Sequence, residues 1–242
     1  MRTARFGKLK VHLVGGSDRE GGGDGPLLVL MHGFGAPGND LVPLWRQLEL
    51  PRGLRIAFPE APLSLEGMMP YADARAWWHI DVAAIERAIR EGTLRDLSAT
   101  EPDGLSEARA QVLETLDALE AELSPSALGI GGFSQGAMLA MDVALESGRP
   151  LNGVVLMSPT LLAEPRWAAR AASLPRTRVL ISHGRQDPLL PFALSEALAS
   201  MLEGCDHDVR FSPFNGGHEI PPSVLRDVGR FLSECFPASS TE

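Results

Sequence analysis

The stretch Leu128–Ala140, LGIGGFSQGAMLA, constrains this chain more than any other. An apolar run suited to a buried strand leads into Gly132-Phe-Ser-Gln-Gly136, and an Ala/Met/Leu-rich run suited to a helix leaves it. A residue held between a strand and a helix sits on a very tight turn, where flanking side chains would collide with neighbouring backbone. Glycine at Gly132 and Gly136 removes that collision. Such a turn holds the Ser134 hydroxyl out at the C-terminal edge of a sheet and directs the amide of Gln135, at the helix start, toward developing negative charge. Ser134 is therefore a candidate nucleophile. Taken alone, the pattern is equally that of a Gly-rich turn with a capping serine, so the reading depends on a base and an orienting acid elsewhere in the chain.

The rest of the chain supplies strands and helices in alternation. Phe6–Val14 alternates as a half-exposed edge strand does, and GGSDREGGGDG after it is expected to be a flexible turn. Leu27–Met31, Leu54–Phe58, Leu151–Ser158 and Arg178–Ser182 are apolar runs suited to buried strands, and Asp208–Phe214 follows as another strand. Helical spacing is expected over Leu41–Leu50, Val82–Arg90, Leu105–Leu123, Gly136–Glu146 and Phe192–Leu202, with a last helix running through Phe236. The pattern predicts one α/β domain with a mostly parallel sheet covered by helices on both faces. A long segment rich in Pro, Met and aromatics starts at Pro59. Within it Met68, Met69, Tyr71, Trp77 and Trp78 are candidates to line an apolar pocket, the alternative being that the tryptophans pack the loop onto the core. Residues 62–104 are the candidate lid or cap.

Two further loops follow strands. Asp187 lies in His183-Gly-Arg-Gln-Asp-Pro, and His218 in Asn215-Gly-Gly-His. Parallel strands end on one edge of their sheet, so Ser134, Asp187 and His218 are expected to converge there, in the chain order Ser, Asp, His. A serine hydroxyl needs a base to take its proton, and a neutral imidazole is the side chain suited to that near neutral pH. His218 fits the base, and Asp187 fits the carboxylate that orients it and tolerates its positive charge. The glycine-rich loop His32–Asn39 lets a backbone amide face a cavity, and Phe34 is the candidate for a second oxyanion donor beside Gln135. His32 itself reads as a structural residue, and His79, Asp81 and Asp142 lack a comparable setting.

Charge excludes several functions. Twenty-two basic against 31 acidic residues leave a formal net charge of −9, with no basic cluster, which argues against nucleic acid or an anionic membrane as partner. The N-terminal MRTARFGKLKVHL lacks a long apolar segment, so no signal or membrane insertion is expected and a cytoplasmic location is the default. Cys205 and Cys235 are expected as ordinary thiols, with a single bridge between the last two helices as the alternative. The six histidines show no metal-ligand spacing, so neither a metal nor another cofactor is expected.

LMHGFGAPGND, FPEAP, RAWWHID, GFSQGAMLA, HGRQDPLLP and GGHEIPP together resemble the phospholipase/carboxylesterase family of α/β-hydrolases, which includes bacterial carboxylesterases and acyl-protein thioesterases. The resemblance spans nearly the whole chain. It implies the α/β-hydrolase fold, Ser134, Asp187 and His218 as a catalytic triad, and the amides of Phe34 and Gln135 as an oxyanion hole. Ala137 departs from a position where the family often has glycine, and His79 from one where a carboxylate is common. The resulting expectation is a serine carboxylic-ester hydrolase of short- to medium-chain acyl esters, a monomer or homodimer acting on a small-molecule ester. An acyl thioesterase or lysophospholipase with the same triad is one alternative, and a noncatalytic ligand-binding protein on this fold is another.

Overall fold

In the computed structural model, which describes residues 1–69, 73–93 and 96–237, the apolar runs of the sequence form the middle of one large sheet. In chain order the strands are β1 (Arg2–Phe6), β2 (Leu9–Gly16), β3 (Glu20–Gly22), β4 (Leu27–Met31), β5 (Arg55–Pro59), β6 (Leu63–Ser64), β7 (Arg75–Ala76), β8 (Leu128–Phe133), β9 (Gly153–Met157), β10 (Arg178–Gly184) and β11 (Asp208–Phe214). The helices are α1 (Val82–Glu91), α2 (Leu105–Leu123), α3 (Gln135–Ser147), α4 (Glu164–Ala171), α5 (Phe192–Gly204) and α6 (Pro222–Cys235). The sheet runs β1-β2-β5-β4-β8-β9-β10-β11, with β3 on the flank of β2, and β6 pairs separately with β7. Strands β5, β4, β8, β9, β10 and β11 run parallel to one another, whereas β2 pairs antiparallel with both β1 and β5. This is an α/β-hydrolase fold.

Side-chain alternation explains why the central strands are apolar throughout. Leu27, Val29 and Met31 of β4 face a core shared with α2, α3, α4 and α5, while Leu28 and Leu30 face a second core closed by α6. Helix α3 passes under the sheet and is buried from Gln135 to Leu145. Its one buried carboxylate, Asp142, accepts hydrogen bonds from Arg109 Nη1 (2.6 Å), Arg166 Nη2 (2.6 Å) and Trp167 Nε1 (2.8 Å), tying α2 and α4 to the helix that follows Ser134. Burying that charge is tolerated only because every oxygen has a donor.

Three sequence expectations need correction. The expected edge strand Phe6–Val14 forms only from Leu9 on, as β2, and is not at the edge, because Gly7 adopts φ +57° and turns the chain so that Phe6 pairs with Leu9 and β1 lies outside β2. The stretch expected to be a flexible turn contains β3, which Asp18 supports by accepting the amides of Glu20 and Gly22. Over Leu41–Leu50 only a short 3-10 helix forms, Val42–Arg46, held by three-residue bonds such as Leu44 N–H to Leu41 O (3.1 Å) and Gln47 N–H to Leu44 O (2.8 Å). Cys205 and Cys235 are free thiols.

Leu28 is fully buried between β4 and α6. Leu28→Ala is expected to lower unfolding stability by about 2–5 kcal/mol, through lost transfer energy and a residual cavity. Urea unfolding checks this as a lower midpoint at unchanged m-value.

Candidate active site

Ser134 stands between the end of β8 and the start of α3 at φ +54°, ψ −119°, a conformation that a non-glycine residue rarely adopts. Its backbone is held on both sides. Ser134 N–H donates to Met157 O (2.8 Å), and Ser134 O accepts from Ala137 N (2.9 Å) and Met138 N (3.1 Å). A Cβ at Gly136 would lie 2.1 Å from Met31 O, and one at Gly132 2.5 Å from the Gly136 carbonyl carbon, so the turn closes only with glycine at both positions.

Strands β10 and β11 are adjacent and parallel, and the loops leaving their C-terminal ends carry Asp187 and His218. Backbone bonds lace these loops together: Arg185 N–H donates to Phe214 O (2.9 Å) and Gln186 N–H to Gly216 O (3.0 Å). Gly184 permits the approach, since a Cβ there would lie 2.1 Å from Gly217 O. The result is a continuous hydrogen-bond chain. Ser134 Oγ lies 2.8 Å from His218 Nε2, and His218 Nδ1 lies 2.7 Å from Asp187 Oδ2. Asp187 Oδ1 accepts from Leu189 N (2.8 Å) and Leu190 N (3.0 Å). An ionised Asp187 makes His218 Nδ1 the protonated nitrogen and leaves Nε2 to accept from the serine hydroxyl. Burial alone would raise the Asp187 pKa, but hydrogen bonds from His183 and His218 outweigh it and hold the carboxyl well below the usual range. The Phe133 ring lies 4.8 Å from the His218 ring and limits its movement.

The amide of Gln135 lies in the first turn of α3, where helix amides lack intrahelical acceptors. Phe34 lies in the glycine-rich loop after β4, and Phe34 and Ser134 line one cavity. The Gln135 side chain has a role that its motif position did not reveal. It is fully buried, its Oε1 accepts from Trp77 N (2.9 Å), and its Nε2 donates to Trp78 O (2.9 Å). Trp77 Nε1 in turn donates to His32 O (2.9 Å). His32 donates from Nδ1 to Gly33 O (2.9 Å) and accepts at Nε2 from Ala61 N (3.1 Å), which fits the structural role expected for it.

The cavity has a volume of about 390 Å³ and opens at Ser134 and His218. Trp78, Ile80, Ile85, Leu97, Met138 and Leu162 supply apolar wall. Of the four pocket candidates described by the structure, Trp78 lines this cavity and the other three do not. Trp77 is buried in the core with its indole N–H on His32 O, Met69 packs with Leu65 and Ala76 under the loop, and Met68 is 71% exposed. Tyr71 lies outside the described residues. Among the described residues no group of His, Cys, Asp and Glu is placed to hold a metal ion, and no helix is long and apolar enough to cross a membrane.

The fold and the strand-to-helix serine turn place the molecule among the α/β-hydrolases. The chain belongs to the phospholipase/carboxylesterase family, which it matches over residues 21–236. The crystal structure of esterase PE8 superposes with a TM-score of 0.77 at 27% identity, covering 94% of this chain and 99% of that one. Acyl-protein thioesterase 1 of Gibberella zeae is 28% identical over 123 residues, 49% of this chain, so that the chain spans about half (52%) of that relative's length. A probable carboxylesterase of Oryza sativa subsp. japonica is 29% identical over 88% of this chain and 89% of its own length.

Burial lowers the His32 pKa from 6.5 to about 4, its hydrogen bond to Gly33 O opposing only part of that shift. As pH falls below 6.5 the unfolded chain takes up a proton at this position while the folded imidazole stays neutral until about 4. Stability from this group is thus full above pH 6.5 and is lost as pH falls toward about 4, by about 3 kcal/mol in all. Urea titrations of the wild type and His32→Gln across this window check it. The wild type is expected to lose more stability than the variant, and parallel curves count against a neutral, buried imidazole.

Proposed function

We propose that this protein is a serine carboxylic-ester hydrolase that cleaves short- to medium-chain acyl esters through an acyl-enzyme intermediate. The observation that carries the reading is the hydrogen-bond chain from Ser134 Oγ through His218 to Asp187, opening onto an apolar cavity. Ser134 Oγ attacks the ester carbonyl as its proton passes to His218 Nε2. The tetrahedral oxyanion is held by the amides of Phe34 and Gln135, and Asp187 stabilises the imidazolium. Collapse breaks the bond to the leaving oxygen, which takes the proton from His218 and departs as an alcohol. Water then loses a proton to His218 and attacks the acyl carbon; collapse returns that proton to Ser134 Oγ and releases the carboxylic acid. Residues 62–104 act as a cap in one domain with the rest of the chain, supplying Trp78, Ile80, Ile85 and Leu97 to the cavity wall.

Hydrolysis of p-nitrophenyl esters from acetate to palmitate tests this. Saturable turnover with an optimum at short or medium acyl length is expected, falling by at least about a thousandfold in Ser134→Ala. Asp187→Asn is expected to lose about ten-thousandfold in kcat, because an amide supports the wrong His218 tautomer. Turnover that is undiminished in Ser134→Ala sinks the proposal, and no turnover by the wild type anywhere in the series makes a noncatalytic ligand-binding protein the better reading.

The thioesterase name carried by the Gibberella zeae relative favours a second reading, in which the leaving atom is sulfur. The triad steps are unchanged, so O-acyl and S-acyl substrates with the same acyl group decide between them. A lysophospholipase is less well supported. Asp40, Asp81 and Asp103 line the cavity and no Lys or Arg is among its described lining residues, although Asp81 also caps α1 through Ala84 N (2.8 Å) and lies 3.9 Å from Arg87. An anionic leaving group would meet like charge there. Esters of neutral alcohols are expected to have a kcat/KM about tenfold or more above matched esters of phosphate-bearing alcohols. The preference should shrink as salt is raised.

A further inference from the structure

Two imidazoles approach Asp187, and the proposed hydrolytic steps use only one of them. Its Oδ2 lies 2.7 Å from His218 Nδ1 and 3.2 Å from His183 Nε2, which also lies 3.1 Å from Leu190 O. His183 sits near the end of β10, wholly buried, with its ring edge toward Phe192 at 6.0 Å. Among the described residues its Nδ1 has no hydrogen-bond partner, although it too is buried. These contacts select one state of the ring. A proton on Nδ1 would bury an unpaired donor, and without a proton on Nε2 a lone pair would face two oxygens. The donor of the ring is therefore Nε2–H, which is bonded to Leu190 O and lies against Asp187 Oδ2. Among the described residues Asp187 is the one charged group within hydrogen-bond reach of the ring; Leu190 O and Phe192 supply its other contacts.

We infer that His183 is a positioning residue, which fixes Asp187 Oδ2 for His218 and draws off part of its negative charge. This rests on the reading of Ser134, His218 and Asp187 as the reacting triad. The two amides from Leu189 and Leu190 fix Oδ1, and His183 is the second donor on Oδ2, the oxygen that meets His218. A carboxylate oxygen that accepts an additional hydrogen bond is a weaker acceptor for each partner. Removing the His183 N–H has two consequences. The carboxylate loses a constraint on its orientation, so the imidazole it steers is less well aligned with Ser134. It also stabilises the His218 imidazolium more strongly, which raises the pH at which His218 becomes the active free base.

The test compares wild type, His183→Phe, which fills the space without a donor, and His183→Gln, whose amide nitrogen reaches to about the position of Nε2. Each is assayed on the best p-nitrophenyl ester, with thermal unfolding to confirm that it is folded; His183→Leu replaces the phenylalanine variant if that does not fold. In His183→Phe, kcat is expected to fall about tenfold to a hundredfold while KM stays within about twofold, because alignment and not substrate binding is altered. The acid limb of its kcat/KM profile is expected to move to higher pH by up to about one unit. His183→Gln should restore most of kcat and the wild-type limb. In the Ser134→Ala background, the downfield proton resonance of His218 Nδ1–H should shift with His183→Phe and return with His183→Gln. Equal losses in both folded variants with unmoved acid limbs, or a resonance that does not respond, would overturn the inference and leave His183 as packing. A responsive resonance without Ser134-dependent turnover supports the His183–Asp187–His218 coupling and removes only the hydrolase reading.

Discussion

The close contact between Gly136 and the end of β4 is the constraint on which the site depends. A helix can begin this near a strand carbonyl only if the residue at the contact has no side chain, and at Gly136 a Cβ would overlap Met31 O. The contact forces Ser134 into a left-handed, strained conformation, worth about 1–3 kcal/mol for a non-glycine residue. What holds it there is burial on both sides: β8 is paired to β4 and β9, and α3 is buried along most of its length. The strain is thus local, while the energy opposing its relief is spread through the core. Asp142 strengthens this arrangement by fixing the far side of α3 to α2 and α4.

Parallel pairing does the rest of the assembly. With β10 and β11 in register, the residues after Gly184 and Phe214 emerge side by side, and the backbone bonds between their loops set the spacing of Asp187 and His218 before any side chain is considered. Burial disfavours the charged form of a carboxylate; here two amides, the His218 ring and the nearby His183 ring keep Asp187 charged. The charge that orients His218 is therefore a property of the β10 loop as much as of Asp187.

Different parts of this organisation were legible to different degrees. The central strands, the helices α2, α3 and α5, and the placing of Ser134, Asp187 and His218 at strand ends follow from periodicity and turn chemistry, which are local properties of sequence. The margin was less legible: the β1–β2 turn hinges on one glycine, and β3 is an edge strand formed through pairing rather than propensity. In the segment before α1, composition pointed to an apolar lining without telling which of its residues reach the cavity. Trp77 and Trp78 are both buried in the same core, yet Trp78 borders the cavity and Trp77 does not, a difference set by tertiary packing around a backbone that Gln135 holds at both residues. His183 was likewise hidden, because its significance lies in a distance to Asp187 that spacing alone does not determine.

Gln135 shows why that segment and the serine turn should be considered together. Its backbone amide opens α3 beside Ser134, its side chain holds the backbone of Trp77 and Trp78, and Trp77 returns through its indole to His32 O at the base of the loop carrying Phe34. The cavity wall, the two candidate oxyanion donors and the nucleophile are thus joined by a short set of buried hydrogen bonds. Displacing Trp78 to admit a bulkier acyl group would disturb the donors that bear on its carbonyl oxygen. Helix α1, by contrast, has no buried residue and reaches the cavity through Ile85. Under the proposed function, room for longer or branched substrates would therefore come from α1 and the wall beyond it rather than from the wall nearest Ser134.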